Sequence, residues 1–163
     1  MQRICLFPGT FDPFTLGHLD IVKRSVGLFD KLVIGIGKNI NKKPMFSDEQ
    51  RLVWVKDIFK EDPRIDVIIY EGLTVQCCKK IGAKYIVRGI RYVNDFEYEK
   101  VIADMNRSLD AEVETVFLTC SPQFTSVAST LVRDVLMNGG DASQFLPEPV
   151  KSHILNMQKD RQP

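Results

Sequence analysis

The chain has 163 residues, a net charge of +1 at pH 7, and a composition that is 44% hydrophobic and 26% charged. This length suits a single domain with a full hydrophobic core, which we expect over residues 1–163. The near-neutral charge argues against nucleic-acid partners and anionic membranes, which usually require a basic excess. No apolar run is long enough for a signal segment or a membrane span.

Five short runs rich in Val and Ile predict β-strands, and a helical pattern follows each of them. The predicted strands cover residues 4–7, 31–37, 65–70, 84–89 and 115–120. The predicted helices cover residues 19–29, 47–59, 74–81, 95–109, 129–139 and about 149–159. In the second helix, Ser47 and Gln50 have the spacing of a capping box, and Leu52, Val55 and Phe59 form the inner face.

This alternation of apolar strands and helices indicates a parallel sheet covered on both faces. Because crossovers between parallel strands are right-handed, the pattern predicts an α/β fold: a Rossmann-like, doubly wound, five-stranded parallel sheet with helices on both faces. The commonest strand order makes the first and fourth strands neighbours at the switch point. A ligand crevice is expected there, at the carboxyl ends of the strands.

The four cysteines, Cys5, Cys77, Cys78 and Cys120, contain no C-x-x-C pair. The pattern favours reduced, mostly buried thiols in a cytoplasmic protein over a disulfide framework or a zinc site.

The loop after the first strand, in the stretch LFPGTFDPFTLGH, ends in a T-x-G-H motif at a helix start. Neither G-x-G-x-x-G nor G-x-x-x-x-G-K-[ST] occurs in the chain, which excludes the usual dinucleotide fingerprint and the P-loop. Gly17 allows a ligand to approach the backbone closely, and His18 adds a donor to a helix N-terminus that already favours an anion. In the alternative interpretation, Thr15 caps the helix and His18 is a surface residue of its first turn.

Arg88 and Arg91 flank Gly89 where the fourth strand ends, in the stretch VRGIRYVNDFEYE. Guanidinium groups suit phosphates because they can form two parallel hydrogen bonds. Alternatively, both arginines are solvated and paired with acidic side chains among residues 95–99.

The stretch SPQFTSVASTLVRDV follows the fifth strand, and Ser126, Ser129 and Thr130 bring hydroxyl and N–H groups to another helix start. Taken alone, these residues are explained by ordinary helix capping. Lys42 and Lys43 follow the second strand, at the same edge of the sheet. Together the four loops predict a polyphosphate site without an acidic metal-ligand cluster.

The motifs PGTFDPFTLGH, NKKPMF, RGIRYVNDFEYE, ADMNR and FLPE resemble those of the bacterial phosphopantetheine adenylyltransferase family, within the T/H-x-G-H nucleotidylyltransferase superfamily. The resemblance runs from about residue 3 to about residue 150, with the motifs in order. It implies transfer of the adenylyl group of ATP to 4′-phosphopantetheine, giving dephospho-CoA and pyrophosphate, the penultimate step of coenzyme A biosynthesis. It further implies Mg²⁺ carried by ATP, feedback inhibition by coenzyme A, and a homohexamer.

The resemblance also implies roles for individual residues. His18 corresponds to the transition-state stabiliser at the α-phosphate, and Lys42 and Arg88 to catalytic residues that bind the phosphate of phosphopantetheine. Thr10 corresponds to a contact of the reacting phosphate, and Thr74 to a contact of the pantetheine arm. The positions that correspond to ATP contacts are Thr10, Phe11, His18, Gly89, Ile90, Arg91, Glu99, Phe124, Thr125, Ser126, Val127, Ala128, Ser129 and Thr130.

One position departs from the family pattern. Ala128 stands in a motif that is usually richer in serine, so no side-chain role is assigned to it, although its backbone N–H remains a donor. Two alternatives stay open at this point. One is another T-x-G-H enzyme, such as a cytidylyltransferase or a nicotinate-mononucleotide adenylyltransferase. The other is a non-catalytic nucleotide-binding regulatory module, which would be expected to have lost His18, Lys42 or Arg88.

Overall fold

The structure, a computed structural model, describes residues 2–38 and 43–159. Its strands are β1 (Ile4–Gly9), β2 (Lys31–Gly37), β3 (Ile65–Tyr70), β4 (Tyr85–Ile90) and β5 (Glu114–Thr119). Its α-helices are α1 (Leu16–Ser25), α2 (Asp48–Phe59), α3 (Thr74–Ile81), α4 (Val93–Leu109), α5 (Ser129–Met137) and α6 (Glu148–Lys159). None of the described helices has the length and apolar character needed to cross a membrane.

The five strands form one parallel sheet with the order β3-β2-β1-β4-β5. The predicted Rossmann-like architecture is therefore confirmed, including the neighbouring positions of β1 and β4. In the register, Leu6 of β1 lies opposite Val33 of β2 on one side and Ile86 of β4 on the other. All three side chains are buried, as expected for a central parallel strand.

The side chains of β1 alternate between two apolar cores. Cys5 and Phe7 belong to the larger core, to which α1, α2, α5 and α6 contribute side chains. Leu6 belongs to the smaller core, where Cys77 and Cys78 of α3 pack against it. The alternation follows from the period of two along a strand, and it places helices on both faces of the sheet. All four cysteines are free thiols, and only Cys120 is partly exposed.

Helix α2 begins with the capping box that its sequence predicts. Ser47 accepts the N–H of Gln50 at 3.2 Å, and the Gln50 side chain accepts the N–H of Ser47 at 2.9 Å. Val55 and Phe59 are buried as expected, but Trp54 and Arg51 are buried as well. Trp54 is covered by α6, and Arg51 is held by the polar contacts described below.

Helix α4 carries apolar side chains on an exposed face. Tyr98, Val101, Met105 and Leu109 recur at helical spacing, yet they are between 58% and 69% exposed. Such spacing usually indicates a face that packs against the core. This stripe instead forms an apolar surface of the chain.

Candidate active site

An open cleft of about 440 Å³ lies where the carboxyl ends of β1 and β4 meet. Three segments surround it: the end of β1 and the loop that follows it (residues 8–15, the first loop) together with the start of α1, the end of β4 with the start of α4, and the segment that leads into α5. The sequence-predicted residues that line the cleft are Thr10, Phe11, His18, Arg88, Gly89, Arg91, Glu99, Val127, Ala128, Ser129 and Thr130. The structure thus brings the three predicted loops together.

The remaining predicted residues lie elsewhere. Ile90, Phe124, Thr125 and Ser126 are absent from the lining of the cleft. Thr74 lines a neighbouring cavity. Lys42 lies outside the described residues, so its placement stays a prediction.

The N-terminus of α1 is closed by a capping box in which His18 takes part. The backbone N–H of Thr15 donates to Nδ1 of His18 at 3.0 Å, and the Thr15 hydroxyl accepts the N–H of His18 at 3.5 Å. Thr15 therefore does cap the helix, but His18 is partly buried rather than a surface residue. Because Nδ1 accepts a hydrogen bond, the proton of the neutral ring sits on Nε2, and His18 offers a donor to the cleft.

Aromatic rings surround His18. The ring centroids of Phe11 and Phe14 lie 5.0 Å and 5.3 Å from that of His18, and the Phe7 centroid lies 6.3 Å away. Burial in this cage, together with the charges of Arg88 and Arg91, lowers the pKa of His18 to about 3. The imidazole is therefore neutral at pH 7, and it acts as a hydrogen-bond donor without a positive charge.

Gly9 makes this arrangement possible, and Gly17 lies at the start of α1 nearby. Phe11 adopts a left-handed backbone with φ of 49°, and its ring lies where a side chain on Gly9 would be, 2.8 Å from that Cβ position. A Cβ on Gly17 would lie 3.4 Å from the carbonyl oxygen of Val127. This is an ordinary van der Waals distance, so α1 lies beside the segment that leads into α5 without an unusually close contact, and the close approach of a ligand to Gly17 stays a prediction.

Arg88 is fixed by three hydrogen bonds. Its Nε and Nη2 donate to the two carboxylate oxygens of Glu99 at 2.7 Å and 2.5 Å, and Nη1 donates to the carbonyl of Pro8. A guanidinium has five N–H donors, so two remain for a ligand in the cleft. The predicted alternative of an ion pair is correct, and yet Arg88 still lines the cleft because the pair orients it there.

Arg91 is held in a similar way, by Asp95 in the first turn of α4. Nε donates to Asp95 at 3.0 Å, and the backbone N–H of Arg91 donates to the same carboxylate at 3.1 Å. Burial acts to raise the pKa of Asp95, but the hydrogen bonds and charge of Arg91 outweigh it and leave that pKa below its usual value. Both carboxylates of α4 that line the cleft, Asp95 and Glu99, are thus hydrogen-bonded to arginine.

A second cavity of about 740 Å³ adjoins the cleft. Six residues line both spaces and form the wall that they share: Pro8, Gly9, Thr10, Arg88, Tyr98 and Glu99. Thr74 lies in the second cavity, where its hydroxyl is 3.2 Å from that of Tyr70. The arrangement can hold two ligands whose reactive ends meet near Thr10 and Arg88.

Helix α5 begins without a side-chain cap, because the N-cap residue is Ala128. The hydroxyl of Ser129 donates to the carbonyl of Pro13 at 2.8 Å, and Thr130 accepts from Arg133 at 3.4 Å. The alternative of ordinary helix capping therefore does not hold for Ser129 and Thr130. The Ser129 hydrogen bond attaches α5 to the first loop, the Thr130 bond stays within α5, and the first N–H groups of α5 have no side-chain acceptor.

Three residues with structural roles at the site escaped prediction from sequence: Asp12, Arg51 and Arg133. Asp12 and Arg51 are 5% and 2% exposed, whereas charged residues are usually solvated. Each of the three contacts the backbone of the first loop or that of a segment bound to it. A sequence motif alone carries no signal for such contacts, although a charged residue on the apolar face of α2 is a hint in the case of Arg51.

Comparison with known proteins assigns the chain to a family. A model of the cytidylyltransferase-like family matches residues 6–135. The phosphopantetheine adenylyltransferase of Flavobacterium psychrophilum is 52% identical over 150 residues, covering 92% of this chain and 99% of the relative. That of Phocaeicola vulgatus is 50% identical with the same coverage. That of Caldanaerobacter subterraneus is 40% identical over 154 residues, 94% of this chain and 96% of the relative.

One solved structure shares the fold. A bifunctional NMN adenylyltransferase/ADP ribose pyrophosphatase from Francisella tularensis, complexed with AMP and a manganese ion, superposes with a TM-score of 0.73 at 18% identity. The match covers 98% of this chain, which spans only 50% of that one, and it shows the fold alone. Fold and family model together define a cytidylyltransferase-like protein. Within that class, the identity to its relatives shows that the chain belongs to the phosphopantetheine adenylyltransferase family.

Proposed function

We propose that the two adjoining cavities bind ATP and 4′-phosphopantetheine and carry out the reaction of the family. The protein transfers the adenylyl group of ATP to 4′-phosphopantetheine, giving dephospho-CoA and pyrophosphate in coenzyme A biosynthesis. The observation that carries the proposal is the shared wall, where Thr10 and Arg88 face both cavities. Two phosphorylated substrates placed on either side would meet at these residues.

In this reaction, a phosphate oxygen of phosphopantetheine attacks the α-phosphorus of ATP. The bond from that phosphorus to the bridging oxygen breaks, and pyrophosphate leaves. The acceptor phosphate is already ionised at neutral pH, so no strong general base is required. The protein must align two polyanions and stabilise the charge that develops between them.

His18 would stabilise the transition state at the α-phosphate. Its Nδ1 is occupied by the Thr15 N–H, so the Nε2 proton is the one available to a phosphate oxygen. Because the ring is neutral, its hydrogen bond to that oxygen becomes strongest when negative charge accumulates there during transfer. The N–H groups at the start of α1 have the same preference for an anion.

The cations of the site would offset the repulsion between the substrates. Arg88 would bind the phosphate of phosphopantetheine with its two remaining donors, and Thr10 would hold the reacting phosphate. Lys42 is proposed to join them at the acceptor phosphate. Thr74 would contact the pantetheine arm, since it lies in the second cavity.

ATP would occupy the cleft beside His18. The proposed contacts are Thr10, Phe11, His18, Gly89, Ile90, Arg91, Glu99 and the residues Phe124, Thr125, Ser126, Val127, Ala128, Ser129 and Thr130. Glu99 would act mainly by orienting Arg88, to which its carboxylate is bound. Ala128 would contribute its backbone only.

Mg²⁺ would accompany ATP, bound to the phosphate oxygens. The two carboxylates nearest the cleft, Asp95 and Glu99, are both hydrogen-bonded to arginine, which fits a metal carried by the nucleotide. When bound, it would neutralise part of the phosphate charge.

We further propose a homohexamer that is inhibited by coenzyme A and located in the cytoplasm. The exposed apolar stripe of α4 supports association with further copies of the chain, because contiguous apolar surface of this kind marks interaction sites. Coenzyme A shares the pantetheine arm of the product and would enter the same cavities. Four free thiols suit a reducing compartment.

The reaction is tested by incubating purified protein with Mg-ATP and 4′-phosphopantetheine and identifying the products by mass spectrometry. We expect dephospho-CoA and pyrophosphate in equal amounts. CTP in place of ATP, or nicotinate mononucleotide in place of the acceptor, should give neither the corresponding conjugate nor pyrophosphate. Product formation with one of these substitutes alone would favour another nucleotidylyltransferase.

A further inference from the structure

Three arginines from three different elements donate to backbone carbonyls of the first loop. The pairs are Arg88 of β4 with Pro8, Arg51 of α2 with Thr10, and Arg133 of α5 with Asp12, the last at 2.6 Å. The carbonyls belong to alternate residues, so the loop is held along its length. The position of this loop matters because Thr10 and Phe11 line the cleft within it.

On one side, the first loop is attached to Met45 and Phe46, which precede α2. The carboxylate of Asp12 accepts the backbone N–H groups of Met45 and Phe46 at 2.8 Å and 3.0 Å. Arg51 reinforces the attachment, because its Nε donates to the carbonyl of Phe46 at 3.0 Å. Lys42, the proposed acceptor contact, is close in sequence to this segment.

On the other side, the first loop is attached to α5. Nη1 of Arg133 donates to the Asp12 carbonyl, and Nη2 donates to the hydroxyl of Thr130 at 3.4 Å. Ser129 adds a second link through the carbonyl of Pro13 at 2.8 Å. Ser129 and Thr130 belong to the proposed ATP-binding segment, so the start of α5 is the part of the site that would contact ATP, the adenylyl donor.

Asp12 is the residue at which the two attachments meet. Its carboxylate holds Met45 and Phe46, which follow the proposed acceptor contact Lys42 in sequence, and its carbonyl, through Arg133, is linked to α5 on the proposed donor side. Both carboxylate oxygens of Asp12 accept backbone N–H groups, and each terminal nitrogen of Arg133 donates to one protein acceptor, so the groups that link the two attachments are bound within the protein.

We propose that Asp12 and Arg133 are positioning residues that set the distance between the donor and acceptor halves of the site. The inference rests on the proposed function, in which two separately bound substrates must align for in-line attack. An error of about 1 Å in such alignment costs roughly 10²-fold in rate. The affinity for either substrate alone does not depend on that distance, whereas turnover does. Loss of the positioning contacts should therefore lower kcat and leave the separate dissociation constants nearly unchanged.

The test compares Asp12→Asn, Arg133→Met and Arg133→Lys with wild type. Dissociation constants for ATP and for 4′-phosphopantetheine are measured separately by calorimetry, and kcat is measured with both substrates saturating. We expect each dissociation constant to stay within about threefold of wild type while kcat falls roughly 10- to 100-fold in Asp12→Asn and Arg133→Met. Arg133→Lys should retain more activity, because an ammonium can still donate to the Asp12 carbonyl.

Arg64→Met is the matched control. Arg64 is exposed, and its side chain hydrogen-bonds only to Asp62 among the described residues. We expect this variant to keep wild-type kcat. Circular dichroism and thermal melting establish whether each variant folds. The side chain of Arg133 is 28% exposed, so Arg133→Met alone tests the proposal if Asp12→Asn fails to fold.

Two results would overturn the positioning role. One is wild-type kcat in Arg133→Met or in folded Asp12→Asn. The other is a large rise in the dissociation constant for ATP in Arg133→Met, which would make Arg133 a direct phosphate ligand. Absence of turnover in the wild-type protein itself would contradict the proposed function instead.

Discussion

Nδ1 of His18 accepts the backbone N–H of Thr15 at 3.0 Å, so one ring nitrogen completes the capping box of α1 and the other is left for the cleft. Gln50 performs the same capping task in α2, where no catalytic group is needed. A histidine at this position therefore combines two roles. It caps the helix with Nδ1, and the cap in turn fixes the tautomer that donates through Nε2.

The first prediction concerns the protonation state of this ring. Burial and the neighbouring arginines lower the pKa of His18 to about 3, so protonation is suppressed and the ring stays neutral from neutral pH down to about 4. In ¹⁵N-edited NMR of the free protein, we expect His18 signals of the Nε2–H tautomer that do not move between pH 8 and about 5.

The assignment is simple because the chain has only two histidines, His18 and His153. His153→Gln removes the second set of signals and leaves His18 as the sole source. A titration of the remaining signals near the usual histidine pKa would contradict both the neutral ring and the fixed tautomer.

The second prediction separates the donor role of His18 from its capping role. His18→Ala removes both, and we expect kcat to fall by roughly 10²–10³-fold, as for the loss of one preorganised donor. His18→Gln restores a cap of the kind that Gln50 forms. Its amide is then engaged at the cap, so the variant has no donor that corresponds to the Nε2–H group in the cleft. Turnover should therefore remain low in His18→Gln, while its melting temperature stays near that of wild type. Wild-type kcat in His18→Gln would show that His18 acts as a helix cap only and would contradict its role as a donor to the α-phosphate.

The third prediction concerns the fork geometry of Arg88. Arg88→Lys keeps the charge but loses the paired hydrogen bonds to Glu99 and the two spare donors. We expect kcat/KM for phosphopantetheine to fall roughly 10- to 100-fold, in line with the loss of one charge-assisted bond or more. Arg107→Lys is the control, because Arg107 is exposed and pairs with Glu114 on the surface. Equal kcat/KM values in the two variants would contradict a contact between Arg88 and phosphopantetheine.

The fourth prediction concerns association through α4. Val101→Glu and Met105→Glu place charge on the exposed apolar stripe, and we expect them to dissociate the proposed hexamer, as measured by light scattering after size-exclusion chromatography. Val53→Glu is the control, since Val53 is 56% exposed on α2, away from the stripe. An unchanged mass in the α4 variants, or a monomeric wild-type protein, would contradict this interface.

The sequence predicts the fold well because each element carries its own local signal. The strand boundaries at Lys31–Gly37 and Ile65–Tyr70 follow from short Val- and Ile-rich runs that end at glycine, proline or charge. The capping box of α2 follows from residues three positions apart. The neighbouring positions of β1 and β4 follow from the commonest strand order of doubly wound sheets, which is a general property of this class of fold.

The internal links of the site are not predictable in this way. Asp12 and Arg133 are 121 positions apart, and their contact depends on the path of the whole sheet. From the sequence, ion pairing of Arg88 and Arg91 is an alternative to ligand binding, whereas in the structure the paired arginines are part of the cleft wall. The outward face of α4 could not be read from its spacing, because a helical stripe has the same period whether its partner is the core or another chain.

The most direct test of the central claim is a single-turnover reaction with ATP labelled with ³²P at the α-phosphate. Enzyme in excess over ATP is mixed with Mg²⁺ and 4′-phosphopantetheine, and the products are separated. We expect the label to appear in dephospho-CoA and the pyrophosphate to be unlabelled, because the acceptor attacks the α-phosphorus. Label that stays in ATP, or that appears only as free AMP, would contradict adenylyl transfer to phosphopantetheine.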